Sequence, residues 1–436
     1  MSRRILFSLC TFALLLQTVG CQQGPDADGS NSDEKQGAAE TQASSPDETS
    51  VSASGFQPLF DQDYEQHQIS SRMRQNFQLL RGSIDGEELH KFESAGLEMY
   101  QPKNMSPSDR FTGFRAVSED KQRSLATLLI LTNPFSMSRT TQQIVSSAVY
   151  QGGSAIMYSE RINIDGREGV FYCIRDEIQG KKVAKFITAF GDDEFSWIVS
   201  TALTGEQEGQ FAEELLRSML NIKIAETRLP PGEDVDFTIQ PNRLVLTDGF
   251  VDKVIFTLTG VFPVESTKEP IFQAGRSMVK LPNDEDYRQK LARSLIVPIP
   301  EFEVHRVSSE REVTIDNLGG YEFLAVGRDQ LSGEPIMIYT VVLFGAEETY
   351  VMHGWVVSES SEYINDFRAL ANSFRRKDQD AEMDPVENMD PVEDQEPVEN
   401  QDPVENQDPA TNLDPAENQS GTDADENDSI DQSEND

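Results

Sequence analysis

Between Phe56 and about Lys377 apolar positions recur at helical or strand spacing, and on either side of that stretch they do not. The pattern predicts a helix over Asp63–Leu80 and strands near Leu97–Tyr100, Phe111–Val117 and Leu125–Thr132. A second helix is expected over Ser138–Tyr150, with Ile144 and Val145 on its apolar side. Strands follow near Ala155–Ile164, Val170–Arg175, Val183–Phe190 and Phe195–Leu203. The half closes with a helix in which Thr204 and Gln207 form a capping box and Phe211, Leu215 and Met219 fall on one stripe.

The second half repeats that ending. IDGREGVFYCIRDEIQGKKVAKFITAFG (residues 164–191) and IDNLGGYEFLAVGRDQLSGEPIMIYTVVLFG (315–345) carry landmarks in the same order. Ile164-Asp165 pairs with Ile315-Asp316, Gly169 with Gly320, and Arg175-Asp176 with Arg328-Asp329. Gly180 then pairs with Gly333, Phe190-Gly191 with Phe344-Gly345, and Glu194 with Glu348. The match needs three residues inserted in the second copy. A long strand (Thr349–Val357) and a helix striped by Tyr363, Phe367, Leu370 and Phe374 follow, and a helix over Asp284–Leu295 answers Ser138–Tyr150. These features predict an α+β chain of two tandem domains, residues 55–225 and 226–377, made by internal duplication. The alternative is two unrelated α+β domains that share turn chemistry.

The flanks have a different character. MSRRILFSLCTFALLLQTVGCQQ opens with Arg3 and Arg4, continues through an apolar run too short to span a bilayer, and ends at Gly20-Cys21. It resembles a bacterial lipoprotein signal (residues 1–20), which implies cleavage before Cys21 and lipidation of that cysteine; Thr18 departs from the pattern. A plain secretory signal is the alternative. Lipidation would hold the chain stably on a membrane. Residues 21–54 contain too little apolar surface to fold and are expected to be a disordered tether spanning roughly 30 Å.

Net charge sharpens the division. Of the formal −39, residues 1–54 carry −4, residues 55–377 carry −13 and residues 378–436 carry −22. Such a polyanion repels nucleic acid, so no nucleic-acid partner is expected. Residues 384–419 are six hexapeptides: DPVENM, DPVEDQ, EPVENQ, DPVENQ, DPATNL and DPAENQ. Proline at every sixth position excludes helix. In an extended polyproline coil the acid at position one and the Glu at position four, present in every unit but DPATNL, lie roughly 9 Å apart. One Ca2+ ion held tightly needs oxygens far closer than that. The tail is expected to be a disordered acidic spacer, able at most to condense Ca2+ loosely or to lie along a basic surface.

Candidate chemistry is sparse. Cys10 leaves with the signal and Cys21 is the lipidation site, so Cys173 alone remains and no intrachain disulfide can form. Alternation places Cys173 on a strand face, which favours a buried structural residue over a reactive thiol. Its counterpart in the second copy is expected near Ala325–Val326. The four histidines, His67, His90, His305 and His353, form no HExxH or close pair. Gly152-Gly153-Ser154 lacks the glycine of a nucleophile elbow. Asp192-Asp193-Glu194 and Glu347-Glu348 read as solvated hairpin turns in preference to a weak calcium site. No phosphate-cradling glycine motif occurs, and neither a cofactor nor a catalytic residue is assigned.

Successive antiparallel strands, a glycine-bearing hairpin, a long last strand and a closing helix ending in serine and a large apolar residue resemble the PsbP-like superfamily. The helix ends are Leu215-Leu216-Arg217-Ser218-Met219 and Leu370-Ala371-Asn372-Ser373-Phe374. The resemblance covers roughly Leu89–Ile222 and Phe237–Arg376. It implies antiparallel sheets with helices on their faces, in proteins that mostly bind other proteins. The expectation is an exported, lipid-anchored cell-envelope protein that binds a protein or small ligand without catalysis. The alternatives are an enzyme with its site between the domains, and an acidic spacer or cation-binding surface protein.

Overall fold

A computed structural model of the chain describes Phe56, Leu59 and residues 65–377, apart from short segments at 83–87, 119–123, 151–153, 179–180, 265, 267, 278–284, 298–301, 331 and 347. The expected signal segment, the tether with Cys21, and the hexapeptide tail lie outside the described residues.

The chain is α+β and is built on two seven-stranded antiparallel sheets. The first repeat begins with helix α1 (Gln66–Leu80), started by a reciprocal Glu65/Gln68 capping box. Strands β1 (Leu89–Phe92), β2 (Leu97–Tyr100), β3 (Ser106–Pro107), β4 (Gly113–Val117) and β5 (Ser124–Asn133) follow. Helix α2 (Met137–Tyr150) then leads into β6 (Ala155–Ile164), β7 (Arg167–Ile178), β8 (Lys181–Gly191) and β9 (Ser196–Thr204). Helix α3 (Gly205–Leu220), capped by Thr204 and Gln207 as expected, closes the repeat, and β10 (Ile222–Ile224) pairs back onto β2.

The second repeat runs β11 (Phe237–Thr238), β12 (Val245–Leu246), β13 (Lys253–Thr257) and β14 (Ile271–Arg276). After helix α4 (Glu285–Ser294) come β15 (Phe302–Ile315), β16 (Leu318–Asp329), β17 (Pro335–Phe344) and β18 (Thr349–Val357). Helix α5 (Tyr363–Asn372) and β19 (Arg375–Arg376), which pairs with β11, complete it. Strand order is β3-β4-β5-β9-β8-β7-β6 in one sheet and β12-β13-β14-β18-β17-β16-β15 in the other. The two orders are the same topology written twice, with helices at the same two points.

Central strands are covered on both faces, so β18 is buried at every position and does not alternate. In the first repeat α2 covers one face through Ile144 and Ala148 against Tyr172, Ile187 and Ile198. Helices α1 and α3 cover the other through Phe77, Phe211 and Leu215. In the second repeat α4 and α5 take the equivalent faces, with Ala292 on one side and Phe367 and Leu370 on the other. Phe374 lies beyond the last helical turn but is fully buried.

Strand register corrects the residue-by-residue match of the two copies. The hairpin turns at Asp165-Gly166 and Asp316-Asn317 share positive φ and do correspond. Gly169 then faces Phe190 across β7–β8, whereas Gly320 faces Leu343 across β16–β17. Phe190 therefore answers Leu343, one residue before the Phe344-Gly345 chosen by identity, and a one-residue slip reverses every side chain. Glu177 pairs with Lys182 and Arg328 with Pro335, so the second hairpin holds two more residues between matched pairs, not three. Arg175-Asp176 accordingly answers Val326-Gly327, and the counterpart of Cys173 is Leu324. The four-residue loops after β8 and β17 agree: Asp192 N–H donates to the Phe195 carbonyl (2.9 Å) and Gly345 N–H to that of Glu348 (2.7 Å).

The repeats interlock. Phe135, just after β5, belongs to a core cluster of the second repeat, where its ring lies 5.7 Å from Phe262. Val251 of the second repeat is buried in the core of the first. Gly249 (φ 98°) passes over Pro134 so closely that a Cβ would stand 2.8 Å from the proline ring.

Candidate functional site: the cleft between the repeats

Where the repeats meet they leave a cleft of about 390 Å³. The first repeat supplies β1 with His90 and Phe92 and the β3–β4 turn with Phe111 and Thr112. The second supplies Asp234, Asp236, Asp252 and Arg276. Asp252 lies just before β13 at φ 59°, a left-handed conformation that aspartate tolerates, and this turns its side chain toward the first repeat. Its carboxylate accepts the Thr112 N–H and hydroxyl, while its own N–H donates to Asp234 Oδ2 at 2.7 Å.

Electrostatics follow from this geometry. Desolvation, with Asp234 nearby adding repulsion, pushes the Asp252 carboxyl up to about 6 despite its hydrogen bonds from Thr112. Burial also raises Asp234. Burial lowers His90, whose ring contacts Phe92 and Phe114 edge-on at 4.7 and 5.7 Å. At the cleft's other side Arg276 reaches Asp236 (3.3 Å) and Glu348 (3.5 Å) and donates to the Asp109 carbonyl (2.9 Å). Tyr350 donates to Asp236 at 3.0 Å. Asp252, through Thr112, and Arg276, through the Asp109 carbonyl, join one repeat to the other, while Asp234, Asp236, Glu348 and Tyr350 hold those two residues from within the second repeat. The cleft can seat a small polar or cationic group. Among the described residues no three His, Cys, Asp or Glu side chains come together as a metal site.

The residues singled out in the sequence do not assemble. Cys21 is outside the described residues. Cys173 is fully buried, and burial, with Glu208 adding to it, pushes its thiol well up. His67 is exposed on α1, and His305 is exposed at a β-bulge of β15. His353 is buried against Thr340, with Nδ1 3.1 Å from the hydroxyl, and burial holds its imidazole at about 3. Ser154 donates to Asp176 at 2.8 Å; Gly152 and Gly153 lie outside the described residues. Asp192 accepts the Glu194 and Phe195 N–H groups, which lower it together with Arg167 at 2.6 Å. That is a closed turn. Of the Glu347-Glu348 pair, Glu348 contacts Arg276 and Glu347 is outside the described residues.

The cleft residues themselves gave no sequence signal. By sheet register the position of Asp252 is taken in the first copy by Arg110, since Gly113 and Ile255 correspond. A contact that joins two copies uses different surfaces of each, so it does not repeat.

Against known proteins, no family model matches the chain and no curated protein matches it. Weak structural likenesses exist. The solution structure of a PsbP protein from Synechocystis sp. PCC 6803 aligns with 9% identity and a TM-score of 0.24, over 31% of this chain and 91% of that one. The apo immunity protein TplEi of a Pseudomonas aeruginosa T6SS aligns with 11% identity and a TM-score of 0.24, over 67% of this chain and 97% of its own. The P. aeruginosa protein of unknown function PA94 aligns with 13% identity and a TM-score of 0.21, over 30% and 96%. Likeness at this level carries nothing about function. No helix among the described residues is long and apolar enough to cross a membrane.

Proposed function

We propose that the chain is an exported, lipid-anchored cell-envelope protein whose tandem repeats act as one rigid, non-catalytic binding module. The observation that carries this is the reciprocal joint. Val251 enters the first core and Phe135 the second, and Asp252 binds Thr112 across the seam. A joint of that kind fixes two sheets at a set spacing, so a partner that binds both need not first order one repeat against the other. Asp252 and Arg276, two ionisable groups of the cleft, are committed to the joint, which favours recognition over turnover. Cys21 supplies the lipid, and the acidic tail keeps the module off other polyanions.

In-envelope crosslinking with mass spectrometry tests the reading. Partner crosslinks should map to residues 55–377; crosslinks confined to the tail would refute it. A second reading, catalysis by the Asp234/Asp252 pair, is favoured by the upward shift of both carboxyls. It requires Asp234→Asn to abolish a turnover found for the folded protein, whereas a binding module keeps its partner crosslinks in that variant.

A further inference from the structure

The geometry points to the outer sheet face of the second repeat, over β15 and β16, as a docking surface for an amphipathic helix with an acidic flank, presented by a partner protein. This rests on the binding-module reading and adds where and what it binds.

The first repeat shows what covers that face. There α1 lies against β6 and β7, with Phe77 edge-on to Phe171 at 4.7 Å and to Tyr158 at 5.8 Å. Ser70 donates from the helix to the carbonyl of Met157 (3.1 Å), the extra residue of a β-bulge. The second repeat keeps the bulge, at Ser308, and the same register: Ser309 faces Leu324 as Tyr158 faces Cys173. It has no counterpart of α1, because residues 225–236, which precede β11, contain no helix.

The uncovered face has changed to suit its exposure. Glu322 stands where Phe171 stands in the first repeat, and Arg311 and Arg368 bind it. Leu324, Val326 and Met337 form a half-buried apolar floor. Arg306, opposite Val326, and Arg328, opposite Glu303, are exposed beside that floor and make no ion pair among the described residues; with Arg311 and Arg368 they are four cations against the two acids of this face, Glu303 and Glu322. A cationic rim is unusual in a chain of net charge −39. Apolar floor, cationic rim and a retained bulge carbonyl together fit a helix whose apolar stripe is flanked by acids. A lipid surface would use the charge but not the bulge.

The test uses the full chain and a labelled 18-residue peptide of residues 65–82 carrying Arg72→Glu and Arg74→Glu, with the unaltered peptide as control. Fluorescence anisotropy should show the acidic peptide binding on the order of tenfold more tightly than the control. The double variant Arg306→Glu/Arg328→Glu should reverse that preference, with unchanged thermal unfolding because both side chains are exposed. Equal binding of the two peptides, an unaffected double variant, or stronger binding to anionic phosphatidylglycerol vesicles than to the peptide would overturn the proposal. Should envelope crosslinks still map to residues 55–377, only the docking surface fails and the binding module stands.

Discussion

Asp252 of the second repeat accepts two hydrogen bonds from Thr112 of the first, one from its N–H at 2.5 Å and one from its hydroxyl at 2.8 Å. This single carboxylate ties a turn of one sheet to a turn of the other. It does so at a desolvation cost, which shows as a carboxyl pushed up to about 6.

That shift has a definite sign. The folded state holds the Asp252 proton more tightly than the unfolded chain, so its contribution is full below the ordinary aspartate range and is lost as pH rises through about 6. Asp234 repels the charged form and Lys253 attracts it, and both face the same carboxylate. Asp252→Asn keeps an acceptor for the Thr112 N–H and removes the charge. Relative to this variant, wild-type stability should gain about 2 kcal/mol between pH 7.5 and pH 4.5 in urea unfolding. A pH-independent difference would contradict the assignment.

Glu322 should behave in the opposite direction. Burial pushes its carboxyl up, but hydrogen bonds from Arg311, Arg368 and Tyr339 outweigh that and hold it below the usual range. The stability it supplies is present at neutral pH and fades as pH falls through the depressed value. Arg311 is 53% exposed, which limits the gain to about 1 kcal/mol. Glu322→Gln should therefore cost that much at pH 7 and nothing at pH 3, measured by the same unfolding series.

Gly354 marks a close approach of helix to strand. A Cβ there would fall inside contact distance of the Phe367 ring, which is fully buried between α5 and β18. Gly354→Ala should destabilise by about 1–3 kcal/mol through overpacking. Adding Phe367→Leu should return part of that loss, and calorimetry of the two variants checks the coupling.

Most of the architecture was legible because it rests on local patterning. Thr204 and Gln207 announced the start of α3, and Phe211, Leu215 and Met219 announced its buried face. Strands Leu97–Tyr100, Ala155–Ile164 and Thr349–Val357 fell where alternation or apolar runs placed them. The register of the second copy was not legible. Arg-Asp and Phe-Gly recur near strand ends but at non-equivalent positions, and only the cross-strand partners along β7–β8 and β16–β17 reveal the one- and two-residue offsets. The cleft was hidden for a different reason. Thr112 and Asp252 are 140 residues apart, in different repeats and in no shared landmark or motif, so only folding brings them together.

The central claim, that residues 55–377 bind a partner as one module on a lipid tether, is tested most directly by quantitative crosslinking in the native envelope. The comparison is between wild type, a chain lacking residues 378–436, and Cys21→Ser. Partner recovery should survive loss of the tail and fall with loss of the anchor as the protein leaves the membrane fraction. Recovery that disappears with the tail and persists in soluble Cys21→Ser would contradict it.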